Sequence, residues 1–317
     1  MHAEGNALHP RLVREAQRLG VERLVVSSLG SWSYEPSHED CEQANRDVRR
    51  LMQEHPGLVL GLAYVNPCDE RAPGELERCV TQWGFVGLKL WVACRISDER
   101  VRPLLEKAQQ LRVPVLQHAW HKITGNLPHE SYPEEVARVA ADFPQLQFIM
   151  AHMGGDWVRG LRALRHQPNV AVDTAGSIVD CGMIEQAVAE LGARRVVFGS
   201  DAHGSSLAVN LAKVTGVRIS ARARRLILGG NFGRLARTGM MDSYMQKLDD
   251  VQLCGIKTVY WRQFLKAFQE STTDADARAA LERLKQRVQH ATRVPSAKVQ
   301  SALAIIAELE RLLEMSE

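Results

Sequence analysis

The chain contains no C-x-x-C pair, no long uncharged apolar run and no large surplus of charge of either sign. Its six cysteines, Cys41, Cys68, Cys79, Cys94, Cys181 and Cys254, are scattered over 317 residues. Such scatter reads as separate reduced thiols rather than a disulfide framework, and so as a cytoplasmic protein. No apolar stretch approaches the ~18 residues that a membrane-spanning helix needs. No basic stretch followed by an apolar one opens the chain, so no secretion signal is expected. The net charge is only +3, with no basic stripe of the kind that binds nucleic acid. These absences leave a globular chain of ordinary hydrophobic fraction, 45%, whose expected partner is a small-molecule substrate, with a homodimer as a candidate assembly and no nucleic-acid or membrane partner.

What the sequence does contain is an alternation of strand and helix signals up to about Gly239. Short apolar runs bounded by turn residues read as buried parallel strands. They are expected at Arg23–Ser27, Leu58–Val65, Phe85–Trp91, Val113–His118, Leu146–Ala151, Val170–Asp173 and Arg195–Ser200. Helices are expected between them, at Leu12–Leu19, Cys41–Glu54, Glu75–Trp83, Asp98–Leu111, Glu134–Asp142, Trp157–Arg165 and Ile184–Leu191, with a last short one at Arg222–Leu228. The alternation predicts an α/β fold, a (β/α)8 TIM barrel over residues 1–239. The count is one strand short, because Met1–Gly5 leaves almost no room for a strand before the first helix. Met240–Glu317 loses the alternation and reads as a helical C-terminal extension, with Val299, Leu303, Ile306, Leu309 and Leu313 at helical spacing.

Three of the strands run directly into residues that carry chemistry. Val115-Leu116-Gln117 ends in His118, Phe148-Ile149-Met150-Ala151 in His152, and Val196-Val197-Phe198-Gly199-Ser200 in Asp201. In a β/α barrel the C-terminal strand ends converge on one mouth, so these residues are expected to meet there. Two imidazoles and a carboxylate suit a divalent transition metal. Each has a plainer reading: a strand-end histidine satisfied in the core, or an aspartate that caps the next helix. The ordered set favours function.

The ordered stretches Gly87-Leu88-Lys89-Leu90, Val115-Leu116-Gln117-His118, Ala151-His152-Met153-Gly154-Gly155, Val172-Asp173-Thr174, Phe198-Gly199-Ser200-Asp201 and Ile227-Leu228-Gly229-Gly230-Asn231 resemble the amidohydrolase superfamily, specifically the amidohydrolase-2 group that includes aminocarboxymuconate-semialdehyde decarboxylase-like enzymes. The resemblance covers about residues 7–237. It implies one divalent metal ion, zinc first, at the barrel mouth. It implies His118 as a metal ligand, Asp201 as ligand or proton acceptor, and His152 as a substrate-polarising or acid-base group, or a ligand in a two-metal variant. Lys89, on the Phe85–Trp91 strand, matches the family's position after the fourth strand, where the resemblance implies a structural or substrate-facing charge rather than the bridging carboxylated lysine of some superfamily members.

The departure lies at the start, where the family opens with a His-x-His strand. This sequence offers His2-Ala3-Glu4 instead. Side chains two apart share a strand face, so His2 and Glu4 are candidate ligands. A misplaced start and a barrel that has lost its metal remain open beside that reading. On the long loop after His118, His121, Lys122 and His129 are candidates for an anionic substrate group, as is His203 after Asp201. The expected reaction is metal-assisted hydrolysis of an amide, lactone or related bond. Non-oxidative decarboxylation is the second reading, and a metal-free binding or assembly barrel the third. The missing strand predicts an open seam between the Arg23–Ser27 and Arg195–Ser200 strands, covered by the tail or by a second subunit.

Overall fold

The computed structural model describes residues 10–202, 204–236, 274–290, 299, 300, 303, 306, 307 and 310. His2, Glu4 and His203 lie outside the described residues. Backbone contacts divide the chain into two compact units, Met1–Gly239 and Met240–Glu317.

The first unit is a β/α alternation. Helix α1 (Pro10–Arg18) leads into β1 (Leu24–Val26). Then follow α2 (His38–Glu54), β2 (Val59–Tyr64), α3 (Ala72–Trp83), β3 (Gly87–Leu90), α4 (Arg102–Gln110), β4 (Val115–Gln117), α5 (Pro133–Asp142), β5 (Phe148–Met150), α6 (Trp157–Leu164), β6 (Val170–Asp173), α7 (Met183–Leu191), β7 (Val196–Val197), α8 (Leu207–Thr215) and α9 (Ala221–Arg225). The seven strands are parallel and stand in chain order, each bonded to the next. This is the curled sheet of a (β/α)8 barrel, with seven of its strands among the described residues.

Burial explains why these residues are strands. Every residue of β2, β3, β5 and β6 is buried, which requires cover on both faces and favours apolar, β-branched residues. Outside the sheet, one large apolar cluster joins Ala63, Leu88, Leu90, Val115, Phe148, Val170, Val172 and Val196 to the helices. Inside the curl, Ile149, Ala171 and Val197 pack with Leu235, and Leu116 and Phe232 lie against them. Helical turns continuing to residue 236 therefore plug the interior below the strand ends.

Two helix boundaries follow local chemistry. Ser37 caps α2: its hydroxyl accepts from Asp40 N at 3.1 Å, while Asp40 Oδ2 accepts from Ser37 N at 3.0 Å, a reciprocal capping box. Gly84, at φ 75°, closes α3 in the left-handed conformation, with Phe85 N donating to Cys79 O at 3.0 Å. Helix α8 was not expected from the sequence. Its buried face is Leu207, Asn210 and Val214, and the asparagine interrupts the apolar pattern. Asn210 belongs there because its Nδ2 donates to Ser200 O at 2.9 Å and Ser206 O at 3.0 Å.

At the seam between β1 and β7, Val13 and Ala16 of α1, Leu24 and Val26 of β1, and Leu207 of α8 share one apolar cluster, with Phe198 packed against it. Among the described residues, α1 and the start of α8 supply apolar packing beside β1. The cysteine reading needs correction: Cys68 and Cys94 are joined by a disulfide. The loops after β2 and β3 bring them together across 26 residues of sequence, a contact no local spacing signals. The argument for a reducing compartment assumed separate thiols, and that premise fails for this pair.

In the second unit a helix spans Asp274–Gln289, with Ala280, Leu281, Leu284 and Val288 buried. Lys285 Nζ donates to Glu310 Oε1 at 2.7 Å. Leu309 and Leu313, on which the expected last helix partly rested, lie outside the described side chains. No helix among the described residues is long and apolar enough to cross a membrane.

One glycine ties the fold to the site. A Cβ at Gly160 of α6 would stand 1.9 Å from Met153 O, in the turn that carries His152. Gly160→Ala is expected to cost about 2 kcal/mol or more through overpacking, read by urea unfolding. An unchanged midpoint would show that the turn yields freely.

Candidate active site

The site grows from the ends of β3 to β7. The β5 strand stops at Met150, and the chain then turns through four consecutive residues of positive φ: His152 at 58°, Met153 at 48°, Gly154 at 79° and Gly155 at 75°. Left-handed backbone in a non-glycine residue costs roughly 1–3 kcal/mol, so something must hold it. Asp173, the last residue of β6, does so. Its Oδ1 accepts from His152 N at 2.7 Å and from Ala175 N at 3.0 Å. Gly155 leaves room for an aromatic ring, since a Cβ there would lie 2.3 Å from Trp120.

Trp120 completes a ring cluster. Its centroid lies 4.9 Å from that of His152 and 5.9 Å from that of His118, and the two imidazoles are 5.1 Å apart. The sequence-predicted pair His118 and His152 is thus brought together at adjacent strand ends. Lys89, His118, His152 and Asp173 are 9%, 8%, 8% and 5% exposed, whereas Asp201 is open to solvent. Asp201 also has positive φ, 50°. Its strand end is positioned by Thr174, whose hydroxyl accepts from Gly199 N and donates to Gly199 O, each at 3.3 Å.

The electrostatics follow from burial. Desolvation pushes the His118 pKa down to about 4, against a hydrogen bond from its ring to Glu130 that pulls it upward. Burial would raise Glu130, but hydrogen bonds from His118, Lys122 and Leu127 outweigh it and bring that carboxyl down to about 2. Near neutral pH the pair is therefore a neutral imidazole and a carboxylate. An ionised carboxylate only accepts, so Nε2–H of His118 donates to Glu130 Oε1 at 2.8 Å and Nδ1 keeps its lone pair. This carboxylate–imidazole arrangement is the one that orients metal-binding histidines.

His152 is likewise held below its usual pKa by burial, with Asp173 and Asp201 opposing. Its Nδ1 is buried and has no hydrogen-bond partner. The Ala175 backbone lies near enough to raise the pKa slightly, without a well-formed bond to that nitrogen. Lys89 is pushed down by burial and drawn up by Asp173 and Asp201. Among the described residues its ammonium has no hydrogen-bond or ion-pair partner.

Of the remaining candidates, Lys122 and His121 are paired with glutamates, His129 is exposed, and His2, Glu4 and His203 are undescribed. Lys122 Nζ donates to both oxygens of Glu130 at 2.8 Å. His121 Nε2 lies 2.9 Å from Glu134 Oε2 and its ring packs on Tyr132. Four residues join the site that the sequence did not single out for it: Asp173, Trp120, Glu130 and Lys213. Asp173 ends a strand just as Asp201 follows one, which was a readable signal. Glu130 is reached only by the folding back of its loop. Lys213 of α8 donates to Gly176 O at 3.1 Å and Ile178 O at 3.0 Å, and feels the charges of Asp173 and Asp201.

A family model described as amidohydrolase matches residues 22–235. The chain belongs to the amidohydrolase family. A 2-amino-3-carboxymuconate-6-semialdehyde decarboxylase of Dictyostelium discoideum is 23% identical over 186 residues, 51% of this chain and 52% of that protein. This amidohydrolase thus spans about half the length of the curated relative it matches. Among solved structures, a 2,6-dihydroxybenzoate decarboxylase from Rhizobium superposes with a TM-score of 0.60 at 19% identity, covering 73% of this chain and 88% of that one. A dihydroxybenzoic acid decarboxylase from Polaromonas, with bound manganese and 2-nitroresorcinol, gives 0.57 at 21% identity, covering 73% and 86%. At these identities the structural likenesses show the fold.

The donor set of this amidohydrolase fits a divalent metal in its chemistry: a tautomer-fixed His118, an unpartnered His152 Nδ1, and carboxylates at Asp173 and Asp201. Among the described residues, the three donors whose ligand atoms lie within 4.8 Å of one another are nevertheless Cys68, Cys94 and Asp98; His118, His152 and Asp201 do not form such a group.

The His118 shift sets a pH dependence. A histidine whose folded pKa is depressed favours the folded state fully above its unfolded value and loses that contribution as pH falls. The folded protein without metal should therefore lose stability on acidification from about 6.5 to about 4, on the order of 3 kcal/mol, and Glu130 adds a further loss from about 4.5 towards 2. Denaturant midpoints measured across that range check this. A flat profile above pH 4 would contradict the buried neutral imidazole.

Proposed function

We propose that this chain is a non-oxidative decarboxylase of a small aromatic or unsaturated carboxylic acid, working with one divalent metal ion, zinc or manganese. The observation that carries the reading is Lys89: a buried amine without a bonded partner among the described residues, near the end of β3, pushed down by burial and drawn up by Asp173 and Asp201. Charging a buried amine is costly without a partner, and a substrate carboxylate beside it would favour the ammonium. The decarboxylase names of the relatives support the same direction. Hydrolysis was the first expectation from the motifs; a lysine beside a substrate carboxylate suits decarboxylation more directly.

In this reading the substrate carboxylate lies against Lys89. The bond from carbon to the carboxylate breaks, carbon dioxide leaves, and the electron pair stays on the carbon. A proton from water, relayed by the solvent-facing Asp201 carboxylate, takes the vacated position, and the hydroxide left behind passes to solvent. His118 and His152 are neutral near neutral pH; His118 offers its Nδ1 lone pair and His152 an unpartnered Nδ1, so they are the residues that would hold the metal, with His2 and Glu4 as further donors. When bound, the ion supplies Lewis-acid polarisation of substrate oxygens. Trp120, stacked on His118, excludes water from both rings.

The test is carbon dioxide release by the purified chain, with zinc or manganese added, on a panel of hydroxybenzoates and unsaturated carboxylates alongside esters, amides and lactones. Decarboxylation in step with substrate loss is expected. Hydrolysis without carbon dioxide, or no turnover of any acid, would overturn the proposal. Lys89→Met should lower kcat/KM by about 100-fold or more while leaving the melting temperature unchanged or raised. Full activity in that variant would remove Lys89 from the reaction.

A further inference from the structure

A second set of donors lies on the loops after β2, β3 and β4. Cys68 follows β2, and Cys94 and Asp98 follow β3; the two sulfurs and one Asp98 oxygen lie within 4.8 Å of one another. Asp98 is firmly placed. It caps the turn Glu99–Val101 through Arg100 N at 2.9 Å, and the Arg100 guanidinium bonds its two oxygens at 3.0 and 2.8 Å. Those hydrogen bonds hold the carboxyl down at about 2, so it is always an anion near neutral pH. Arg100 Nη2 also stands 4.0 Å from Cys94 Sγ, and a cation beside sulfur favours the thiolate.

The loop after β4 reaches the same place. Arg95 Nε donates to Pro128 O at 3.4 Å, and Ile96 N donates to Ser131 Oγ at 2.9 Å. These bonds bring His129, the neighbour of Pro128, alongside the Cys94–Asp98 segment with its ring exposed. Asp98 feels its charge.

We propose that Cys68, Cys94 and Asp98, in the dithiol form of the protein, bind a zinc ion, with His129 completing a tetrahedral shell. Two thiolates, a carboxylate and an imidazole are a zinc donor set. The charges close: two thiolates and a carboxylate are matched by the dication and Arg100. The disulfide is the oxidised form of the same site. A dithiol reductant opens it by two-electron exchange and leaves as its own disulfide. Zinc then displaces the two thiol protons as the sulfurs bind. The ion would pin three mouth loops together, and oxidation would release it. This site shares no residue with the decarboxylase reading and stands or falls apart from it.

Cobalt(II) tests it in the full chain, because thiolate ligation gives a sulfur-to-cobalt charge-transfer band that histidine and carboxylate sites lack. The chain reduced with dithiothreitol and desalted without oxygen should develop that band, and zinc should bleach it. The oxidised chain should not show it. Cys68→Ser and Cys94→Ser should abolish the band, while Asp98→Asn and His129→Ala should weaken cobalt binding by about 10-fold or more. The oxidised–reduced comparison needs no variant, so a variant that misfolds does not decide the matter. No band in the reduced chain would overturn the proposal. So would an equal band in the oxidised chain or in Cys94→Ser, which would assign it to other thiols.

Discussion

One carboxylate oxygen, Asp173 Oδ1, ties two strand ends into a single site. By accepting from His152 N and Ala175 N it stabilises a run of left-handed residues that would otherwise relax. The placement of the His152 ring depends on that turn. So does the contact with Trp120, which needs a glycine at 155, and the packing of α6, which needs a glycine at 160. The backbone hydrogen bond occupies one oxygen only and leaves the carboxylate's charge to act on Lys89, His152 and Lys213. A structural bond and an electrostatic role are therefore served by the same side chain.

Desolvation is the second constraint. The mouth holds two imidazoles kept neutral and a lysine pushed towards neutrality, all by burial. Glu130 shows the opposite balance, where three hydrogen bonds overcome the same penalty. The contrast explains which groups are fixed and which remain available. Glu130 and Lys122 satisfy each other and brace His118. Lys89 and His152 Nδ1 are left with capacity for a ligand, and those are the atoms on which the functional reading rests.

The loops divide into two chemistries. The ends of β4 to β7 present nitrogen and oxygen donors, with Trp120 packed against the two imidazoles. The loops after β2 and β3 present sulfur beside a guanidinium. Barrel folds separate a scaffold from loops in this way, so one mouth can carry a reaction centre and a separate clasp without sharing residues.

The sequence by itself determined the strand order, most of the helix boundaries and the residues that end the strands, because apolar periodicity and turn residues are local properties of the chain. His118, His152, Lys89 and Asp201 were legible for that reason. Helix α8 was hidden because a buried asparagine, satisfied by Ser200 O and Ser206 O, looks like a break in the pattern. Only the tertiary structure decided the roles of Glu130, Trp120 and Lys213, the pairing of Lys122 with Glu130 and of His121 with Glu134, and the meeting of Cys68 with Cys94. Each of those depends on a loop folding back or on two loops converging. The sequence carries no periodicity for such contacts, since they are fixed by distances in space and by the burial that turns a nearby charge into a strong one.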